Sequence, residues 1–81
     1  MLSEEEIIKC LEESVNPDRK IKIDRNTNLF EHPDLDSLEG LEAIMDLEDE
    51  HDINIPTENE DLYIVGNLID YVQKQYPDYN P

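Results

Sequence analysis

At 81 residues the chain has room for one small domain and one small core, and its single cysteine, Cys10, excludes an internal disulfide. Six Lys and Arg stand against 22 Asp and Glu, a formal charge of −16. That charge repels phosphate backbones and anionic lipid, so the expected partners include no nucleic acid and no membrane surface.

The start, Met1-Leu2-Ser3-Glu4-Glu5-Glu6, lacks the basic and apolar parts of a secretory signal. No apolar run approaches the roughly 20 residues that cross a bilayer. The lone thiol suits a reducing compartment. The expectation is a soluble protein of the cytoplasm or an organelle matrix. Acidity with few aromatics also occurs in unfolded chains. The apolar periodicity along this chain argues instead for a fold.

The first helix is expected over about residues 3–15. Ser3 with Glu6 has capping-box spacing, and Ile7, Ile8, Leu11 and Val15 recur at helical intervals. Asn16-Pro17 ends it. Residues 16–36 form a long connection in which Ile21, Ile23, Leu29, Phe30 and Leu35 suggest a loop pinned to the core. Ile21-Lys22-Ile23 alternates but is too short for a strand.

The clearest helix is expected over about 37–51, capped by Asp36 or Ser37. Its apolar face reads as Leu38, Leu41, Ile44 and Met45, flanked by Ala43 and Leu47. Glu39, Glu42, Asp46, Asp49 and Glu50 share the opposite face, and Glu48 projects near the apolar edge. Thr57 and Glu60 repeat the capping-box spacing, which predicts a short helix over about 57–62. Val65, Leu68, Ile69 and Val72 mark a last helix over about 65–75, ending before Pro77. With no repeat and no second domain, residues 1–81 read as one all-α domain. Its expected form is a small antiparallel bundle of three main helices and one short one.

Catalysis finds little support. Ser37 and His51 sit 14 residues apart on one helix, roughly 20 Å along its axis, beyond the reach of a nucleophile and its base. His32 lies in a loop with no third partner. Cys10 has no Cys or His at the usual metal-site intervals, so no metal is expected. Asp34-Leu35-Asp36 opens like a calcium loop, but Leu38 and Glu39 stand where a ligand and a glycine are required. Two glycines, Gly40 and Gly66, make no phosphate loop. What remains is Ser37 at a helix start. It reads either as an ordinary N-cap or as a residue on whose hydroxyl a phosphodiester would sit in the field of the helix N-terminus.

The run Asp36-Ser37-Leu38-Glu39-Gly40-Leu41-Glu42-Ala43-Ile44-Met45-Asp46-Leu47-Glu48-Asp49-Glu50 resembles the prosthetic-group helix of acyl carrier proteins. Asp52-Ile53-Asn54-Ile55-Pro56 resembles the family's exit from that helix, Asn28-Leu29-Phe30 its loop anchor, and Val65 with Leu68-Ile69-Asp70-Tyr71-Val72 its last helix. The resemblance covers nearly the whole chain. Three positions depart from the family. The Gly usual before Asp-Ser-Leu is missing from His32-Pro33-Asp34-Leu35. His51 stands where an aromatic is common, and Ile64 stands where a Thr often caps the last helix.

The resemblance implies a non-catalytic carrier. A phosphopantetheinyl transferase would move 4'-phosphopantetheine from coenzyme A to Ser37, between Asp36 and Leu38, and acyl groups would ride on the arm's thiol as thioesters. It implies that Glu39, Glu42, Asp46, Glu48 and Asp49 meet basic surfaces on acyl-transferring enzymes, and that Leu38, Leu41, Ile44, Met45, Leu47 and Leu68 shelter the acyl chain. The expected carrier is a monomer of fatty-acid type. Carriage for polyketide or other specialised acyl transfer is the nearest alternative. An acidic interaction module or nucleic-acid mimic without a prosthetic group is the alternative of another class.

Overall fold

The computed structural model describes residues 2–15 and 21–78, with Ser37 by its backbone alone. The expected end of the first helix at Asn16-Pro17 lies outside these residues. Helix α1 spans Glu4–Val15, α2 spans Ser37–His51 and α3 spans Val65–Gln75, with one 3₁₀ turn at Glu60–Tyr63. Among the described residues there is no strand, only an isolated antiparallel bridge between Asn28 and Ile64. The chain is all-α, a small bundle of three helices and one 3₁₀ turn, as expected.

Ser3 Oγ accepts the Glu6 N–H at 3.1 Å, which starts α1. Ile7, Cys10, Leu11 and Val15 are its buried side. Cys10 reaches Glu50 and Ser14 reaches Asp46, so rising numbers on α1 meet falling numbers on α2 and the two helices run antiparallel. Helix α3 buries Val65, Leu68, Ile69 and Val72 behind them.

Four of the five apolar residues expected to pin the long connection do so, while Phe30 is 48% exposed and only sets its ring edge-on to Tyr63 at 5.4 Å. Ile21, Ile23, Leu29 and Leu35 are all buried. Backbone bonds fix its path. Leu29 N–H donates to Tyr63 C=O at 2.7 Å, Val65 N–H to Thr27 C=O at 2.9 Å and Gly66 N–H to Arg25 C=O at 2.8 Å. Arg25 pairs with both Glu4 and Asp70, linking the loop to α1 and α3. Its side chain is 44% exposed, so the pairs add little stability and mainly fix register.

Two elements differ from the reading of the sequence. The short helix is a 3₁₀ turn, and it begins at Glu60 where Asn59 accepts the Asp61 N–H at 3.1 Å, so Thr57 is not its cap. The larger difference is the rotation of α2. Its inward side is Gly40, Ala43, Ile44 and Leu47, while Leu38 is 60% and Met45 48% exposed. Hydropathy points the helix toward its bulkiest apolar residues. Packing instead selects the side where Gly40 and Ala43 let the backbone come close.

Residues 31–61 carry 13 acids and no Lys or Arg. The fold is therefore expected to loosen at low salt, where repulsion is least screened. A thermal midpoint that rises by roughly 4–8 °C between a few millimolar and physiological salt would correspond to about 1 kcal/mol. A midpoint indifferent to salt in a melting experiment contradicts this.

Candidate functional site

The start of α2 carries the features that matter most. Asp36 is its N-cap, in extended backbone conformation. Asp36 Oδ1 accepts the Glu39 N–H at 2.8 Å, and Glu39 Oε1 accepts the Asp36 N–H at 3.3 Å. This capping box satisfies two free backbone donors with two carboxylates. Ser37 is therefore the first helical residue and not the cap. The bland role open to it in the sequence is filled by its neighbour.

Leu35, buried at 6% exposure, fixes the approach to the cap. Its N–H donates to His32 C=O at 3.1 Å, and Asp34 N–H donates to His32 Nδ1 at 3.0 Å. The segment His32-Pro33-Asp34-Leu35 thus makes its turn with a histidine side chain and no glycine. Leu38, just after Ser37, is exposed.

The acids of α2 divide by what they already hold. Glu42 and Asp49 are exposed. Asp46 is exposed and accepts a hydrogen bond from Ser14 Oγ. Glu39 is engaged in the cap. Glu48 Oε2 accepts the Ile55 N–H at 2.8 Å, tying the segment after α2 back to the helix. Asp52, in left-handed conformation at φ 53°, ends α2, and the Ile53 N–H donates to Glu48 C=O at 3.1 Å. Tyr76 Oη donates to Asn54 C=O at 3.3 Å and accepts the Asn54 N–H at 2.9 Å.

The exposed apolar residues Leu38 and Met45, with half-buried Leu41 between them, form a stripe along α2. At ~100° per residue this stripe borders Glu42 and Asp49. Ile44, Leu47 and Leu68 lie elsewhere, each with 0% exposure in the core. The six residues expected to form one acyl-chain pocket are thus split between surface and core. Sequence reasoning could have found the stripe by giving Gly40 and Ala43 the inward positions.

Cys10 is buried, and its thiol is pushed up to about 12, first by burial and then by the Glu50 carboxylate to which Sγ donates at 3.0 Å. With no metal bound it stays protonated near neutral pH. Ile64 caps α3 with its backbone alone, as expected where the capping hydroxyl is missing.

No protein-family model matches the chain, and no solved structure matches it. An acyl carrier protein from Streptococcus thermophilus is 46% identical over 46 residues, a stretch covering 57% of this chain and 61% of that protein. The chain is similar to acyl carrier proteins over that stretch, which spans about three-fifths of the relative's length.

Proposed function

We propose that this chain is an acyl carrier protein, with Ser37 as the attachment point for 4'-phosphopantetheine. The observation that carries the reading is the division of labour at the start of α2. Asp36 and Glu39 cap the helix between them, which leaves Ser37 without a capping duty at the positive end of the helix dipole, where a phosphodiester is favoured. The similarity to a named acyl carrier protein supports the same reading. The test is transfer of phosphopantetheine from coenzyme A by a broad-specificity phosphopantetheinyl transferase, read by intact mass.

The arm supplies thioester chemistry when attached. The chain's own residues position and present it. The Asp36–Glu39 box fixes where the helix begins, and Leu35 and Gly40 hold that start against the core. His51 lies 14 residues along the same helix, roughly 20 Å away, and Asp36 and Glu39 are engaged in the cap, so Ser37 is read as a tether and not a nucleophile.

The surface of α2 suits brief contacts with basic enzymes. Glu42, Asp46 and Asp49 supply charge, and Leu38 and Met45 supply a small apolar contact among them. Such a patch favours fast, salt-sensitive and weak association, which a shuttle needs. The double variant Glu42→Lys with Asp49→Lys is expected to slow acyl transfer to partner enzymes by about tenfold, with the fold intact by circular dichroism. Unchanged transfer kinetics in the folded variant would count against this surface. Glu39→Lys is a poorer probe, because it also removes half of the capping box.

The strong acidity of the chain favours a fatty-acid-type role, which would use the buried residues of the core. Ile44, Leu47 and Leu68 are completely covered, so an acyl chain sheltered there parts them and passes the half-buried Leu41. Leu38 and Met45 belong to the docking surface in this reading and not to the pocket.

A further inference from the structure

Far from the start of α2, the fold gathers three ligand types that the sequence separates. Cys10 of α1 lies 40 residues from Glu50, yet Cys10 Sγ, a Glu50 carboxylate oxygen and a His51 ring nitrogen all fall within 4.8 Å of one another. They line a cleft of about 220 Å³ that Glu6, Lys9 and Glu13 complete. We propose that this cleft is a binding site for a divalent transition ion of the zinc class, with Cys10, Glu50 and His51 as ligands. The spacing rules that exclude a metal look along the chain, and this cluster forms across the α1–α2 contact.

The chemistry of the donor set narrows the ion. Magnesium and calcium prefer all-oxygen sites, whereas a thiolate with an imidazole selects borderline and soft ions. Zinc bonds are about 2.0–2.3 Å long, so the ligand atoms need to close by only about 1 Å from their present spread. Water, or Glu6 or Glu13 from the cleft wall, completes four-coordination. Glu50 is exposed and His51 half-buried, which gives an ion a path from solvent.

The charge around the cleft favours a cation, and the metal has to displace the proton that burial and Glu50 hold on Sγ. The cluster sits at the C-terminal, negative end of α2. Three carboxylates line the cleft against one ammonium, Lys9. On binding, the Sγ–metal bond forms as the Sγ–H bond breaks, and the proton leaves to solvent. Glu50 exchanges the hydrogen bond it accepts from Sγ for a bond to the metal. The ion then clamps α1 to the end of α2, which stabilises the folded state by linkage.

Cobalt(II) titration of the full chain tests this, followed by absorption spectroscopy. The expected result is a thiolate-to-cobalt charge-transfer band saturating at one equivalent and abolished by added zinc. The Ser37→Ala chain, whose one thiol is Cys10, should give the same band, which excludes the thiol of an attached arm. Cys10→Ser should lose the band, and His51→Gln and Glu50→Gln should each weaken binding by about tenfold or more. The surface positions of Glu50 and His51 keep the test valid even where Cys10→Ser fails to fold. Cobalt binding without the thiolate band, no binding, or a band unaltered in both His51→Gln and Glu50→Gln overturns the proposal.

Discussion

Gly40→Ala is expected to destabilise the domain by about 3 kcal/mol. A Cβ built on Gly40 falls 2.2 Å from the Leu29 carbonyl oxygen, 2.8 Å from its carbon and 3.2 Å from Leu29 Cβ. The first two atoms are backbone and cannot rotate away. Leu29 cannot retreat either, since it has 0% exposure and its N–H is held by Tyr63 at 2.7 Å. Relief therefore requires α2 to move off the loop, breaking contacts of Ala43, Ile44 and Leu47.

Helix propensity acts in the opposite direction, since Ala in a helix interior is favoured over Gly by about 1 kcal/mol. The clash is larger because it involves a covered surface on both sides. A domain of this size has a total stability of only about 4–12 kcal/mol, so the loss is a large share. Denaturant titration measures it as a lower midpoint. A Gly40→Ala chain as stable as the parent would show that α2 does not approach Leu29 as described.

The second large effect separates Ser37 from its neighbour. Ser37→Ala should abolish loading with phosphopantetheine while changing stability by no more than about 0.5 kcal/mol, since alanine is well tolerated at the first helical position. Asp36→Ala should do the reverse to stability. It removes the side chain that accepts the Glu39 N–H, at a cost of about 0.5–2 kcal/mol. Paired denaturant and intact-mass measurements on the two variants test the contrast. A Ser37→Ala chain losing as much stability as Asp36→Ala would return Ser37 to the role of a structural cap.

The sequence made the helices legible because their signals are local. Ser3 with Glu6, and the spacing of Val65, Leu68, Ile69 and Val72, need no knowledge of neighbours. The pinned loop was visible in the same way, through Ile21, Ile23, Leu29 and Leu35. What could not be read was anything set by close approach between elements. Leu38 and Met45 are as apolar as Ile44 and Leu47, and only the contact of Gly40 with Leu29 decides which pair turns inward. The choice between Asp36 and Ser37 as cap was likewise open, since both residue types cap helices well. The start of the 3₁₀ turn hinged on Asn59, which competes with Thr57 for the same duty. The Cys10–Glu50–His51 cluster was hidden because two of its members lie 40 or more residues from the third.

The surface proposed for docking differs in kind from the one the sequence suggests. An acidic face over an apolar core-facing side became an acidic face bordered by exposed Leu38 and Met45. In the proposed carrier role, that arrangement would offer a partner enzyme both steering charge and a small apolar contact. It also assigns Glu48 mainly to the fold, through its bond to Ile55.

Loading is the most direct measurement of the central claim. The purified chain is incubated with coenzyme A and a broad-specificity phosphopantetheinyl transferase, and its intact mass is recorded beside that of Ser37→Ala. The carrier reading predicts the mass gain of one phosphopantetheine on the parent chain, a new thiol that reacts with alkylating reagents while Cys10 does not, and no gain on the variant. A folded parent chain that takes up no adduct, or an adduct that persists in Ser37→Ala, contradicts it.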